Sequence, residues 1–132
     1  MKKIILFSLM FLFLFTGCGK KNDILPEETI IESTINKVNT AKKETAKQTT
    51  INIKKTAEIY YLELQLINEI VENDIIIDFS DTTSIPENFV FNGFNPTSGM
   101  VIIDNAGNIT LKDLVINGVT CNINENDDVV CN

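Results

Sequence analysis

Three cysteines carry most of the chemistry available to this 132-residue chain. Cys121 and Cys131 lie near one end of it, and Cys18 lies near the other, directly after Thr16 and Gly17. The first two can oxidise to a disulfide in an oxidising compartment, or hold zinc as thiolates. A zinc set needs companions, and the chain has no histidine and no cysteine beyond these three, so a Cys121–Cys131 disulfide is the expectation. Closing so short a loop would stabilise the fold by about 2–3 kcal/mol. Oxygen ligands gather in two places: Glu125, Asn126, Asp127 and Asp128, and Asp104, Asn105 and Asn108. Calcium favours such groups, while the plainer reading is two polar turns. Little else is equipped for catalysis. Histidine and arginine are both absent, which removes the commonest general base and the commonest bidentate anion clamp. None of the five serines (Ser8, Ser33, Ser80, Ser84 and Ser98) sits in a nucleophile elbow, and Gly93 and Gly99 belong to turns with no phosphate loop around them. A non-enzyme without a cofactor is expected.

Cys18 has a context of its own. Lys2 and Lys3 precede an apolar run from Ile4 to Phe15, about as long as a signal-peptide core and too short to cross a ~30 Å hydrocarbon layer as a permanent helix. Small Thr16 and Gly17 open the bond before Cys18 to a peptidase. The pattern resembles a bacterial lipoprotein signal, with Phe15 standing where Leu, Val or Ile is usual. The resemblance implies that residues 1–17 are removed and that Cys18 is lipidated as the first mature residue. It implies a protein held by lipid on the extracytoplasmic face of the cell membrane, which is compatible with a disulfide. Lipoprotein cysteines carry at least a diacylglyceryl group, so the attachment has more than one acyl chain.

Charge is spread unevenly beyond Cys18. From Lys20 to Lys55 there are eight lysines against five acids, and from Thr56 to Asn132 one lysine, Lys112, against thirteen. A mildly basic segment beside a lipid anchor suits an anionic membrane surface. The acidic remainder argues against nucleic acid as a partner, because phosphate binding needs a concentrated cationic face.

Composition and spacing indicate the scaffold on which these residues sit. Residues 18–26 form a tether. From Glu27 to Glu72 there is neither glycine nor proline, and a long helix is expected over 27–73, with Pro26, Glu27 and Glu28 at its start. Its first half is polar, with a thin stripe of Ile31, Ile35 and Val38. Thr45, Thr49, Thr50 and Ile51 are β-branched and predict a frayed or broken middle. Beyond them Ala46, Ile53, Ala57, Tyr60, Leu64, Ile67 and Val71 recur at helical spacing, with Ile59, Leu62, Leu66 and Ile70 as a second stripe alongside, so a wide apolar arc needs cover. After Asn73 short apolar runs alternate with turn residues, as strands do. Ile75–Phe79, Phe89–Phe91, Met100–Ile103, Ile109–Ile116, Val119–Ile123 and Val129–Cys131 are the runs. Asp104 to Asn108 and Asn117-Gly118 read as hairpin turns. The expected class is α+β, a long amino-terminal helix packed on a small antiparallel sheet over 74–132.

Two stretches carry a second resemblance. Ala41 to Leu66 is similar to the exposed half of the long helix of type IV pilin-like proteins and secretion-system pseudopilins. Phe94-Asn95-Pro96-Thr97-Ser98-Gly99, Met100-Val101-Ile102-Ile103-Asp104, Gly107 and Leu114-Val115-Ile116-Asn117-Gly118-Val119-Thr120-Cys121 resemble the end of small pilin-like proteins of low-GC bacteria. The resemblance implies a helix packed on an antiparallel sheet, and calcium bracing the sheet as in some pseudopilins. The glycine cleavage site and apolar membrane-spanning half-helix of pilin precursors are absent, replaced by the lipoprotein-like signal. A polar, lysine-bearing helix cannot enter a dry filament core without burying unpaired charge. The expected function is therefore non-enzymatic display of a pilin-like head on the membrane surface for protein contacts, as adhesin, scaffold or assembly factor. A minor component docking to a type II secretion or pilus machine is the first alternative. A small-ligand-binding lipoprotein is the second, disfavoured by the small space a single thin sheet offers for a pocket.

Overall fold

The computed structural model of the chain describes residues 27–67 and 71–132; residues 1–17, Cys18, the tether, and Asn68 to Ile70 lie outside them. Residues 34–132 form one compact unit, and of the other, residues 1–33, only the first turns of the helix are described.

Helix α1 runs from Glu27 to Leu66, 40 residues without a break. The expected interruption near Thr45–Ile51 is absent, and the packing shows why. Thr49 and Thr50 are buried, and the Thr50 hydroxyl donates to the carbonyl of Ala46 within the helix, 2.9 Å away. The few tenths of a kcal/mol that a β-branched residue costs in a helix are outweighed by burial at about 25 cal/mol per Å². α1 ends at Leu66, short of the expected Asn73. Ile67 is an exposed turn residue, and Val71 to Asp74 are not helical. Among the described residues no helix is long and apolar enough to cross a membrane.

The sheet is a five-stranded antiparallel meander, β1 (Ile75–Asp78), β2 (Ser98–Ile103), β3 (Ile109–Ile116), β4 (Val119–Ile123) and β5 (Val129–Cys131), each strand paired with its sequence neighbour. Class and order are those expected, α+β with the helix first. Alternation along the strands places Ile77, Val101, Ile103, Leu111, Leu114, Ile116 and Cys121 in one core with Ala46, Ile53 and Ala57 of α1. Strict alternation fails once. Leu111 and Leu114 are three residues apart yet both buried, because β3 bulges at Asp113 (φ 50), where the register with β2 shifts. The extra residue restores Leu114 and Ile116 to the core face.

Two further expectations are corrected. Phe89–Phe91 forms no strand. Its backbone bonds are taken up outside any sheet, with the Phe89 N–H on the Pro86 carbonyl at 2.9 Å and the Thr56 hydroxyl of α1 donating to the Val90 carbonyl at 3.5 Å. Its rings instead build an edge-to-face cluster with Tyr60 and Phe79, centroids 5.9–6.3 Å apart. The second helical stripe is also uncovered: Ile59, Leu62 and Leu66 are 57%, 56% and 81% exposed. The sheet spans only the arc centred on Ala46, Ile53 and Ala57.

Cys121 and Cys131 form a disulfide across β4 and β5, with Cα atoms 4.1 Å apart. The adjacent pair, Thr120 and Asn132, exchanges both backbone hydrogen bonds, at 3.2 and 2.9 Å. The cysteines therefore occupy a non-hydrogen-bonded pair, where facing side chains lie closest. Replacing both by alanine is expected to cost about 2–3 kcal/mol, read as a lower urea midpoint, with reductant reproducing the shift in the unmutated protein and leaving the double variant unchanged.

Candidate functional site

The two loops with candidate calcium ligands turn out to be one structure used twice. In the β2–β3 loop Asp104 Oδ1 accepts from the N–H groups of Ala106 (2.9 Å) and Asn108 (2.8 Å), and the Gly107 N–H donates to the Asp104 carbonyl (2.9 Å). In the β4–β5 loop Asn124 Oδ1 accepts from Asn126 (3.0 Å) and Asp128 (2.9 Å), and the Asp127 N–H donates to the Asn124 carbonyl (3.0 Å). Both fourth positions are left-handed, Gly107 at φ 87 and Asp127 at φ 66. An Asx residue first and Gly or Asx fourth was the sequence signal for this shared loop.

The first loop must have glycine fourth, since a Cβ on Gly107 would lie 2.4 Å from the Tyr61 ring, whose hydroxyl donates to the Asn105 carbonyl (2.9 Å). The second has room for a side chain there, and Asp127 uses it to reach Lys54 Nζ, which also lies 3.9 Å from Glu58 Oε1. Asp127 is largely exposed, so this ion pair contributes at most about 1 kcal/mol. Lys54 was not singled out by sequence spacing, because its partner lies on another element.

The side chains of Asp104, Asn108 and Asp127 thus have partners within these loops or in the ion pair, and Asp128 gives its N–H to the second loop. Among the described residues no group of three His, Cys, Asp or Glu side chains is placed to hold a metal ion. Millimolar calcium is expected to leave the melting temperature unchanged; a rise of several degrees would establish an ion in one of these loops.

Hydrogen bonds hold the Asp104 carboxyl below its ordinary 3.8, first from the Asn108 side-chain amide, then from the Asn108 N–H. Asp81 is lowered likewise by the hydroxyl and N–H of Thr83. Both carboxyls therefore bind protons more weakly folded than unfolded. Their contribution is complete above pH 3.8 and fades as pH falls through the lower folded values. Asp104→Asn is expected to lower the melting temperature at pH 7 and to differ less from wild type at pH 3.

β5 and α1 flank a cleft of about 540 Å³, with Lys47, Ile51 and Lys54 on the helix side and Asp128, Val129 and Val130 on the strand side. Its volume is larger than a single thin sheet led us to expect. Its walls carry charges of both signs, unlike the mostly apolar lining of small-molecule pockets. Comparison with protein families, with curated proteins and with solved structures finds no match to the chain.

Proposed function

We propose that the protein is a lipid-anchored surface protein, attached through Cys18, whose α+β head resembles the pilin-like fold and acts through contacts with other proteins. The observation that carries the head reading is the element order: one long helix, then an antiparallel meander closing in a disulfide hairpin. The resemblance implies a helix packed on an antiparallel sheet, and this order is compatible with it. The disulfide suits an oxidising, extracytoplasmic compartment. Contacts with proteins are favoured over a small ligand by the open, mixed-charge cleft and by the uncovered Ile59–Leu62–Leu66 stripe.

The anchor is tested by growing cells with a clickable fatty acid. The wild-type chain should take up the label and stay with membranes, and Cys18→Ala should do neither. An unlabelled wild-type protein with a free thiol at Cys18 would overturn the reading.

A further inference from the structure

The two edges of the sheet are finished differently at one position, Asp78; Ile76 of β1, which by antiparallel alternation also points its N–H and C=O away from β2, has no partner for them among the described residues. On β1, Asp78 turns its N–H and carbonyl outward, and both are met by one hydroxyl: Ser84 Oγ accepts from the former and donates to the latter, each at 2.8 Å. On β5, the bonds of Asn124 with Asp128 and of Thr120 with Asn132 fix which residues face β4. By antiparallel alternation Val130 faces β4 as well, and the N–H and C=O groups of Val129 and Cys131 point away from the sheet. Among the described residues no partner meets them. An edge with unpaired donors and acceptors is a template for another strand unless it is charged, bent or covered.

The cleft lies along this edge, and its charge has a direction. Lys54 meets Asp127 at the start of β5, with Glu58 beside it and Asp128 nearby. Lys47 lies two helical turns back and is in no ion pair among the described residues; Ile51 and Val129 lie between. From Lys47 to Glu58 α1 rises about 16 Å, the length of about five strand residues.

We infer that the β5 edge takes an extended segment of a partner protein as a sixth, antiparallel strand, with an acidic, an apolar and a basic residue at alternate positions facing α1. Running antiparallel to β5, the segment enters beside Lys47, which its acid meets. Its apolar residue covers Ile51 and Val129, and its basic residue reaches Glu58 and Asp128. Main-chain bonds to Val129 and Cys131 supply affinity and the alternate side chains supply selection, as in other strand-addition complexes. The disulfide fixes the edge in place before the partner arrives, which lowers the ordering cost of binding.

This inference rests on the reading of the head as a protein-contact module, and its test separates the two. The probe is a seven-residue peptide, capped at both ends, with glutamate, valine and lysine at its second, fourth and sixth positions and threonine elsewhere. With the 15N-labelled full chain, millimolar peptide should slow amide exchange at Val129 and Cys131 at least tenfold. A peptide with glutamate and lysine interchanged should bind at least tenfold more weakly, and Lys47→Glu should weaken binding of the first peptide and strengthen that of the second. Unchanged exchange at both amides, or equal binding of the two peptides, overturns the inference. Perturbation of Ile59 and Leu62 instead, with β5 still exchanging freely, overturns the β5 site while leaving the protein-contact reading standing.

Discussion

Gly93→Ala is expected to be among the most damaging single substitutions in the head. Gly93 has φ 137, a region in which a residue with a Cβ is strained by about 1–3 kcal/mol. An added Cβ would also sit 2.4 Å from Thr49 Oγ1 and 2.7 Å from Thr49 Cγ2. Thr49 is buried on α1 and cannot swing aside, so overpacking adds a further cost of about 1–3 kcal/mol. The loop there is tied to the helix twice, by the Asn52 side-chain amide donating to the Asn92 carbonyl (2.8 Å) and by the Phe94 N–H donating to Thr49 Oγ1 (3.4 Å). Urea denaturation of Gly93→Ala, Thr49→Ala and the double variant separates the two contributions. The double variant should be more stable than the sum of the singles predicts, since removing Thr49 Oγ1 and Cγ2 relieves the two closest approaches and leaves the one to Cβ at 2.9 Å together with the backbone strain. Strict additivity would show that the close approach has no energetic weight.

Ile53→Ala should cost about 2–5 kcal/mol, the range for deleting a large aliphatic side chain from a closed core. Ile53 is fully buried at the centre of the helix–sheet interface, among the residues that pack α1 against β1–β4. For a domain of this size, each kcal/mol moves the melting temperature by about 4–8 °C, so the loss should be at least about 8 °C. Ile59→Ala is the control. It deletes the same atoms from the same helix at an exposed position and should change stability by no more than about 0.5 kcal/mol. Equal effects at the two positions would mean that α1 presents a different face to the sheet.

The uncovered stripe and the β5 edge bear on function in different ways. Ile59, Leu62 and Leu66 offer apolar area without direction, whereas β5 offers main-chain hydrogen bonds in a fixed register beside a cleft of graded charge. Selection among partners depends on such directional groups, because apolar contact alone discriminates weakly. The acidic balance of the head sets a long-range preference against acidic surfaces, while Lys47 and Lys54 modify it locally.

Elements with local signals were legible in the amino-acid order. Helical spacing of Ala46, Ile53, Ala57 and Tyr60 marked the buried face, turn residues bounded β3, β4 and β5 at the observed residues, and the two late cysteines pointed to their disulfide. Other features came from packing between elements, because the partners that settle them are distant along the chain. Packing kept α1 continuous through Thr49 and Thr50 by burying them, and left Ile59, Leu62 and Leu66 in solvent. It turned Phe89–Phe91 from an apparent strand into an aromatic filling, and placed a bulge at Asp113 that a period of two cannot foresee. The candidate site was the least legible of all. Lys54 meets Asp127 across 73 residues, and the free edge of β5 is a property of main-chain direction, which side-chain identity does not encode.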